Sequence, residues 1–172
     1  MDPVSRTPTK PIDYATLSAG YGALLAALVV SARNDCDDPV RPAELPVLGL
    51  ATFALAKLIA KEKVDSWVRE PFVEETPDGE RRPKGRRLRF AVGELLSCTR
   101  CVGSWSSLGV VALRLRRPRE AGVIIPVLAG SALNDWLQSA FARLCAEADA
   151  AAEEARIPAD ERARRFSRAA GG

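Results

Sequence analysis

The chain has 172 residues, of which 47% are apolar but only 6% aromatic, and its formal net charge is +3. Ala, Leu and Val supply most of the apolar residues, and this composition favours helices over a β-sandwich. No histidine is present, which excludes Ser-His-Asp and Cys-His catalysis by this chain alone. We therefore expect a protein that is not an enzyme.

The N-terminal segment, residues 1–13, contains three prolines and is predicted to be a flexible arm without a signal peptide. The next nineteen residues, 14–32, carry no charge. As a helix they would extend about 28 Å at roughly 1.5 Å per residue, close to a bilayer core of about 30 Å. This pattern predicts a membrane span, and a buried helix of a soluble bundle is the alternative.

Three further apolar stretches are weaker span candidates, at residues 45–61, 92–113 and 121–143. Together with the first stretch they predict an all-α fold, an integral membrane helical bundle with three to four transmembrane helices. We expect this helical membrane domain to cover residues 14–145.

Two of these stretches contain intramembrane charges, Lys57 in the second and Asp135 in the fourth. Charges in apolar spans are costly unless they are paired, so Lys57–Asp135 and Arg100–Glu94 are candidate ion pairs. The alternative is that Lys57 and Arg100 extend their charged groups to the membrane interface.

The longest polar stretch, residues 62–91, joins an amphipathic part to an arginine-rich part. It is predicted either to lie at the membrane surface or to form a packed loop. Anionic lipid headgroups are the expected partner of the arginines, and no nucleic acid is expected because no nucleic-acid fold signature accompanies them. The tail, residues 146–172, is predicted to be helical to Arg156 and then disordered.

Lys and Arg are concentrated in the N-terminal arm, the 62–91 loop and the tail. By the positive-inside rule, both termini and the basic loop are expected in the cytoplasm of a multi-pass protein of a bacterial cell membrane. The four arginines between Arg114 and Arg119 oppose this arrangement. Either that turn stays near the headgroups, or the third and fourth helices form a re-entrant pair.

The most distinctive motif is Cys98-Thr99-Arg100-Cys101 in the third stretch. Written as one helix, Glu94, Cys98, Cys101 and Trp105 share a face. The two thiols could supply two of four ligands to zinc or iron, completed by Glu94, by Cys145 or by a second chain. A redox pair and a simple packing role are the other two hypotheses. Cys36 is expected on the opposite side of the membrane.

Two blocks of residues can be compared with a known family. The first comprises Ala51-Thr52, Lys57-Leu58, Lys63-Val64 and Val68 to Phe72, and the second runs from Gly93-Glu94-Leu95 through Cys98 and Cys101 to Trp105. They resemble a bacterial membrane-protein family, domain of unknown function 1360, which includes sporulation-associated members. Thr99 stands where that family usually has proline. The resemblance implies several transmembrane helices, brings no established activity, and marks these motif residues: Lys57, Arg69, Pro71, Phe72, Glu94, Gly103 and Trp105.

The expected role is a non-enzymatic membrane partner or assembly component. A homo-oligomer formed through small-residue faces such as Ser18 and Gly22 would fit this role. The first alternative is a membrane thiol protein that binds metal or exchanges disulfides through Cys98 and Cys101. The second is a soluble helical-bundle interaction protein.

Overall fold

The computed structural model describes residues 7–35, 38–62, 66–76 and 81–156. It is mostly helical, and its helices are α1 (Pro11–Asp35), α2 (Leu45–Lys61), α3 (Ser66–Arg69), α4 (Leu88–Ser97), α5 (Thr99–Arg116) and α6 (Pro118–Arg156). A 3₁₀ turn, Pro42–Glu44, precedes α2. Two short antiparallel strands, β1 (Val73–Glu75) and β2 (Arg81–Pro83), form a hairpin in which Glu74 pairs with Arg82.

The chain divides into two compact units, Met1–Ala132 and Leu133–Gly172. The first contains α1 to α5, the hairpin and the beginning of α6. In the described part of the second, all but one of the side chains from Leu133 to Ala155 are exposed, including Trp136, Leu137 and Phe141.

Small side chains form the main helix contact of the first unit, between α2 and α5. Ala56 and Ala60 of α2 are buried against Val102 of α5. A Cβ placed on Gly103 would lie 4.0 Å from the Cβ of Ala56, so glycine allows the two backbones to approach closely here. Near the opposite end of α2, a second buried cluster joins α2, α5 and α6, comprising Leu48, Ala51, Val110, Ala121, Ile125 and Ala129.

Helix α1 has an apolar surface that the described protein leaves uncovered. Leu24, Leu25, Val29 and Val30 retain between 42% and 56% of their accessible surface. Asp13 and Leu28 are the buried residues of the described part of this helix. The start of α1 is fixed to α4, because the Nε of Arg87 lies 3.1 and 3.0 Å from the two carboxylate oxygens of Asp13.

Two helical segments, Pro11–Asn34 and Pro42–Lys61, are long and apolar enough to cross a membrane. Only 6% of the first apolar window is buried, against 28% of the second. The core helix of a soluble protein would be mostly buried, and the apolar window of α1 is not. The structure thus supports the predicted apolar helices at 14–32 and 45–61 as candidate spans.

The prediction of one continuous helix over residues 92–113 was wrong. The helix stops at Ser97, Cys98 adopts an extended backbone with φ −101° and ψ 107°, and α5 starts at Thr99. The four residues placed on one face of that helix therefore lie on two helices and the break between them. The predicted helical tail does reach Arg156, whereas the prediction beyond it, Cys36 and residues 1–6 lie outside the described residues.

Candidate functional site

The break between α4 and α5 fixes the two motif cysteines in different environments. Cys98 is the residue immediately before α5, and Cys101 lies in the first turn of that helix. Both thiols are free and half-buried. The neighbouring Cys101 thiol, together with the backbone N–H groups of Cys101 and Arg100, places the pKa of Cys98 below its ordinary value of 9.0.

Glu94 connects the cysteine pair to α1. It lies one turn before the break, and its carboxylate accepts a hydrogen bond from the phenolic hydroxyl of Tyr14. The oxygen of that hydroxyl accepts a further hydrogen bond from Thr9 at 3.3 Å. The negative charge of Glu94 is also close enough to act on the thiol of Cys101. The carboxylate therefore lies at the meeting point of α1, α4 and α5.

Trp105 packs its indole ring against α1. The ring centroids of Trp105 and Tyr21 are 5.4 Å apart with an interplanar angle of 74°, an edge-to-face arrangement. A Cβ placed on Gly20 would lie 3.9 Å from the Cη2 atom of Trp105. The motif tryptophan is thus a contact between α5 and α1.

These side chains border a cavity of about 530 Å³ between α1, α4 and α5. Its walls include Tyr14, Leu17, Tyr21, Glu94, Cys101 and Trp105. A second, smaller cavity of about 280 Å³ shares Trp105 and is bordered mainly by apolar residues of α1 and α5, among them Leu24, Leu28 and Leu108. The volume of the larger cavity is in the range of small-ligand sites.

The first motif block builds the support of the site. Arg69 is buried, and its guanidinium donates to the carbonyls of Ile59 and, at 2.8 Å, Glu62. Arg81 donates to the carbonyls of Ala60 and, at 2.9 Å, Lys61. The last carbonyls of a helix have no partner within the helix. Two arginines supply those partners at the end of α2.

The same block holds α4 against the hairpin. Phe72 accepts the N–H of Lys84 through its carbonyl at 2.7 Å, and the carbonyl of Pro71 accepts from Arg89 at 2.6 and 3.0 Å. A Cβ on Gly93 would lie 2.5 Å from the Phe72 oxygen. A side chain at position 93, directly before Glu94, would therefore clash with the hairpin.

Lys57 pairs with Glu62 at 3.6 Å. Asp135, its predicted partner, belongs to the other unit. Among the described residues, no three His, Cys, Asp or Glu side chains are grouped so as to hold a metal ion. Cys145 is an exposed thiol of the second unit. The zinc or iron site at Cys98 and Cys101 stays a prediction.

Sequence reasoning missed the contributions of α1 and of Arg81. Tyr14 and Tyr21 lie far from Glu94 and Trp105 along the chain, and no local pattern connects them. The break at Cys98 did have a signal. Thr99 is the first residue of α5, and the first position of a helix is where proline is favoured. The proline usual in the resembling family therefore marks a helix start.

No curated protein and no solved structure matches the chain. A family model described as "Protein of unknown function (DUF1360)" matches residues 47–141. The matched range contains both cysteines of the motif, Glu94, Trp105 and the Arg69–Phe72 block, whereas α1 precedes it. Because the match covers more than half of the chain, the protein belongs to the DUF1360 family.

Proposed function

We propose that the protein is a multi-pass membrane protein in which α1, α2, α5 and the 121–143 stretch cross the bilayer. The observation that carries this proposal is the exposed apolar surface of α1, which has no charge from Tyr14 to Ala32. Soluble monomers rarely expose apolar patches of that extent. Lipid would cover the surface without any further protein.

The positions of the charged groups support a bundle that crosses the bilayer along its helices. One end of the bundle holds the Arg87–Asp13 and Lys57–Glu62 pairs and the two arginines that cap α2. At the other end of α2 and α5, Arg114 lies 2.6 Å from Glu44 and 2.8 Å from Asp38. The apolar residues lie between these two polar ends, as a membrane-spanning bundle requires.

Arg114, one of the four arginines that oppose the predicted sidedness, is paired with two carboxylates. The hydrogen bond from Arg114 is the main reason why the pKa of Asp38 is lowered from its ordinary value of 3.8. Lys and Arg remain more numerous in the N-terminal arm, the 62–91 loop and the tail than in the two other connections. We therefore retain both termini and the basic 62–91 loop on the cytoplasmic side.

We assign a non-enzymatic role, as a membrane partner or assembly component. The chain lacks histidine, and its motif residues chiefly join helices to one another. The exposed face of α1 is available to lipid or to a second membrane helix, and the exposed arginines of the basic loop suit anionic headgroups.

Alkaline carbonate washing of membranes from expressing cells tests the proposal. We expect the full-length protein to stay in the membrane pellet, and a C-terminal reporter to be protected from protease outside intact cells. Release by carbonate, or a monodisperse folded protein without detergent, would refute the membrane assignment. An externally cleaved reporter would refute the sidedness alone.

A second candidate function, thiol exchange, is favoured by the position of Cys98 directly before α5, with Cys101 in the first turn of that helix and the pKa of Cys98 lowered. The Cys98 thiolate would attack a partner disulfide and release one partner thiolate; Cys101 would then attack the mixed disulfide and release the second. The partner gains two electrons, and a Cys98–Cys101 disulfide remains. Replacing both cysteines with serine should abolish a redox-dependent mobility shift, whereas Cys145→Ser should leave it unchanged. Absence of any such shift in the native protein would exclude this function.

A further inference from the structure

The larger cavity combines an apolar wall with a single charge. Among the residues that line it, Glu94 is the carboxylate, and neither lysine nor arginine is present. The hydroxyl of Tyr14 occupies one acceptor position of this carboxylate. Two carboxylate oxygens offer about four such positions, so the group can accept further donors. A cation is the charge complement of this cavity.

The aromatic residues define which kind of cation fits. Tyr21 and Trp105 are inclined at 74°, so their rings form two adjacent walls of the cavity at nearly a right angle. Tyr14 contributes a third ring. Aromatic rings arranged around a carboxylate are the usual surroundings of an organic ammonium group, because the negative ring faces attract the weakly hydrated cation.

The second cavity indicates what the cation is attached to. It shares Trp105 with the first, and its other walls include Leu24, Ala27, Leu28 and Leu108. A Cβ on Gly109, which also borders it, would meet no atom within 4 Å. An apolar chain that starts at the aromatic walls can therefore continue along the space between α1 and α5.

We propose that the two cavities together bind an ammonium-headed amphiphile, with its cation at Glu94 against the adjoining rings of Tyr21 and Trp105 and its apolar chain between α1 and α5. The assignment uses contacts within the first unit only, so it does not depend on the function proposed above. The ammonium could belong to a lipid headgroup or to a free alkyl amine, and the experiment separates these sources.

Trp105 can report binding directly. In a Trp67→Phe, Trp136→Phe background, which removes two exposed tryptophans, Trp105 is the remaining indole of the chain. The full-length protein in a non-ionic maltoside is titrated with decyltrimethylammonium, with tetramethylammonium and with decyl sulfate. We expect saturable changes in emission with both ammonium compounds, stronger binding of the decyl compound, and none with decyl sulfate.

Two variants separate the headgroup from the chain. Glu94→Gln should weaken the binding of both ammonium compounds by roughly tenfold, the usual effect of removing one charge contact from a partly desolvated site. Gly109→Leu fills the smaller cavity and should weaken only the decyl compound. Tyr21→Leu removes one ring and gives a second test of the cation site if Glu94→Gln does not fold. Glu74→Gln, at an exposed glutamate outside both cavities, is the matched control and should bind as the parent does.

Partition into the micelle is the same for parent and variants, so equal titrations of the parent and a folded Glu94→Gln would overturn the proposal. Equal responses to decyl sulfate and decyltrimethylammonium would overturn it as well. Native mass spectrometry of the protein from nanodiscs with equal amounts of phosphatidylethanolamine and phosphatidylglycerol then identifies the source of the ammonium group. Retention of the ethanolamine lipid that Glu94→Gln abolishes assigns a lipid headgroup; ammonium binding without lipid preference assigns a free amine.

Discussion

Replacing Arg69 with alanine should destabilise the protein. The guanidinium is 3% exposed and donates to the carbonyls of Ile59 and Glu62 at the end of α2. Hydrogen bonds to a charged group contribute about 1.5–3 kcal/mol each, and the substitution also leaves carbonyls without a partner. Recovery of the buried charge's hydration offsets part of this loss.

We therefore expect the unfolding free energy of Arg69→Ala to fall by about 3 kcal/mol. For a chain of 172 residues, this corresponds to a decrease in Tm of roughly 6–12 °C. Thermal unfolding of the purified protein measures the shift. It is followed by the helical signal in circular dichroism, at about 222 nm. Arg69→Lys keeps the charge but loses the planar fork, so it should recover less than half of the stability.

The matched control is Arg86→Ala, which removes an exposed arginine from the same basic loop. Its Tm should change little, because surface substitutions usually alter stability by less than about 0.5 kcal/mol. If Arg69→Ala and Arg86→Ala unfold at the same temperature as the parent, the capping role that we assign to Arg69 is incorrect.

Three further outcomes follow from the geometry. Gly93→Ala should lower the unfolding free energy by about 1–3 kcal/mol, because its Cβ would lie 2.5 Å from the Phe72 carbonyl oxygen. The control is Gly49→Ala, where a Cβ meets nothing within 4 Å, and this change should be neutral or stabilising. Equal Tm values of the two variants would contradict the prediction. The lowered pKa of Asp38 means that its ion pair contributes above the ordinary value of 3.8 and is lost as pH falls. The parent should therefore lose more Tm than Asp38→Asn between about pH 5 and pH 3, and parallel curves would refute it. Cys98 should react with iodoacetamide faster below pH 9 than the other thiol of its motif, as measured by peptide mass spectrometry; the reverse order would refute the lowered pKa of Cys98.

The apolar helices could be predicted from the sequence, but the break at Cys98 could not be read from periodicity. The uncharged run after Asp13 is itself the physical property that makes α1 a candidate span, so local composition was sufficient there. Across Cys98, by contrast, Glu94, Cys98 and Cys101 keep helical spacing in the sequence, although the backbone is not helical at Cys98. A single extended residue changes the direction of the chain without altering the pattern of apolar side chains.

The hairpin and the cavity depend on contacts between distant parts of the chain. Each strand has three residues, and the first has two glutamates among its three, so neither has the alternation that predicts a strand. The hairpin is held instead by its pairing and by the close contact at Gly93. Tyr14 likewise reaches Glu94 across eighty positions. Motif residues could be identified from the resemblance, but their partners in α1 could not.

The hairpin contacts two helices and connects them. Arg81 of β2 holds the final carbonyls of α2, while Pro83 of the same strand lies where a side chain on Gly93 of α4 would be. A force applied to this small ribbon is therefore transmitted to both helices at once. Because α4 ends at the residue before Cys98, a displacement of the hairpin would reach the thiols and the cavity at Glu94 through this one short helix.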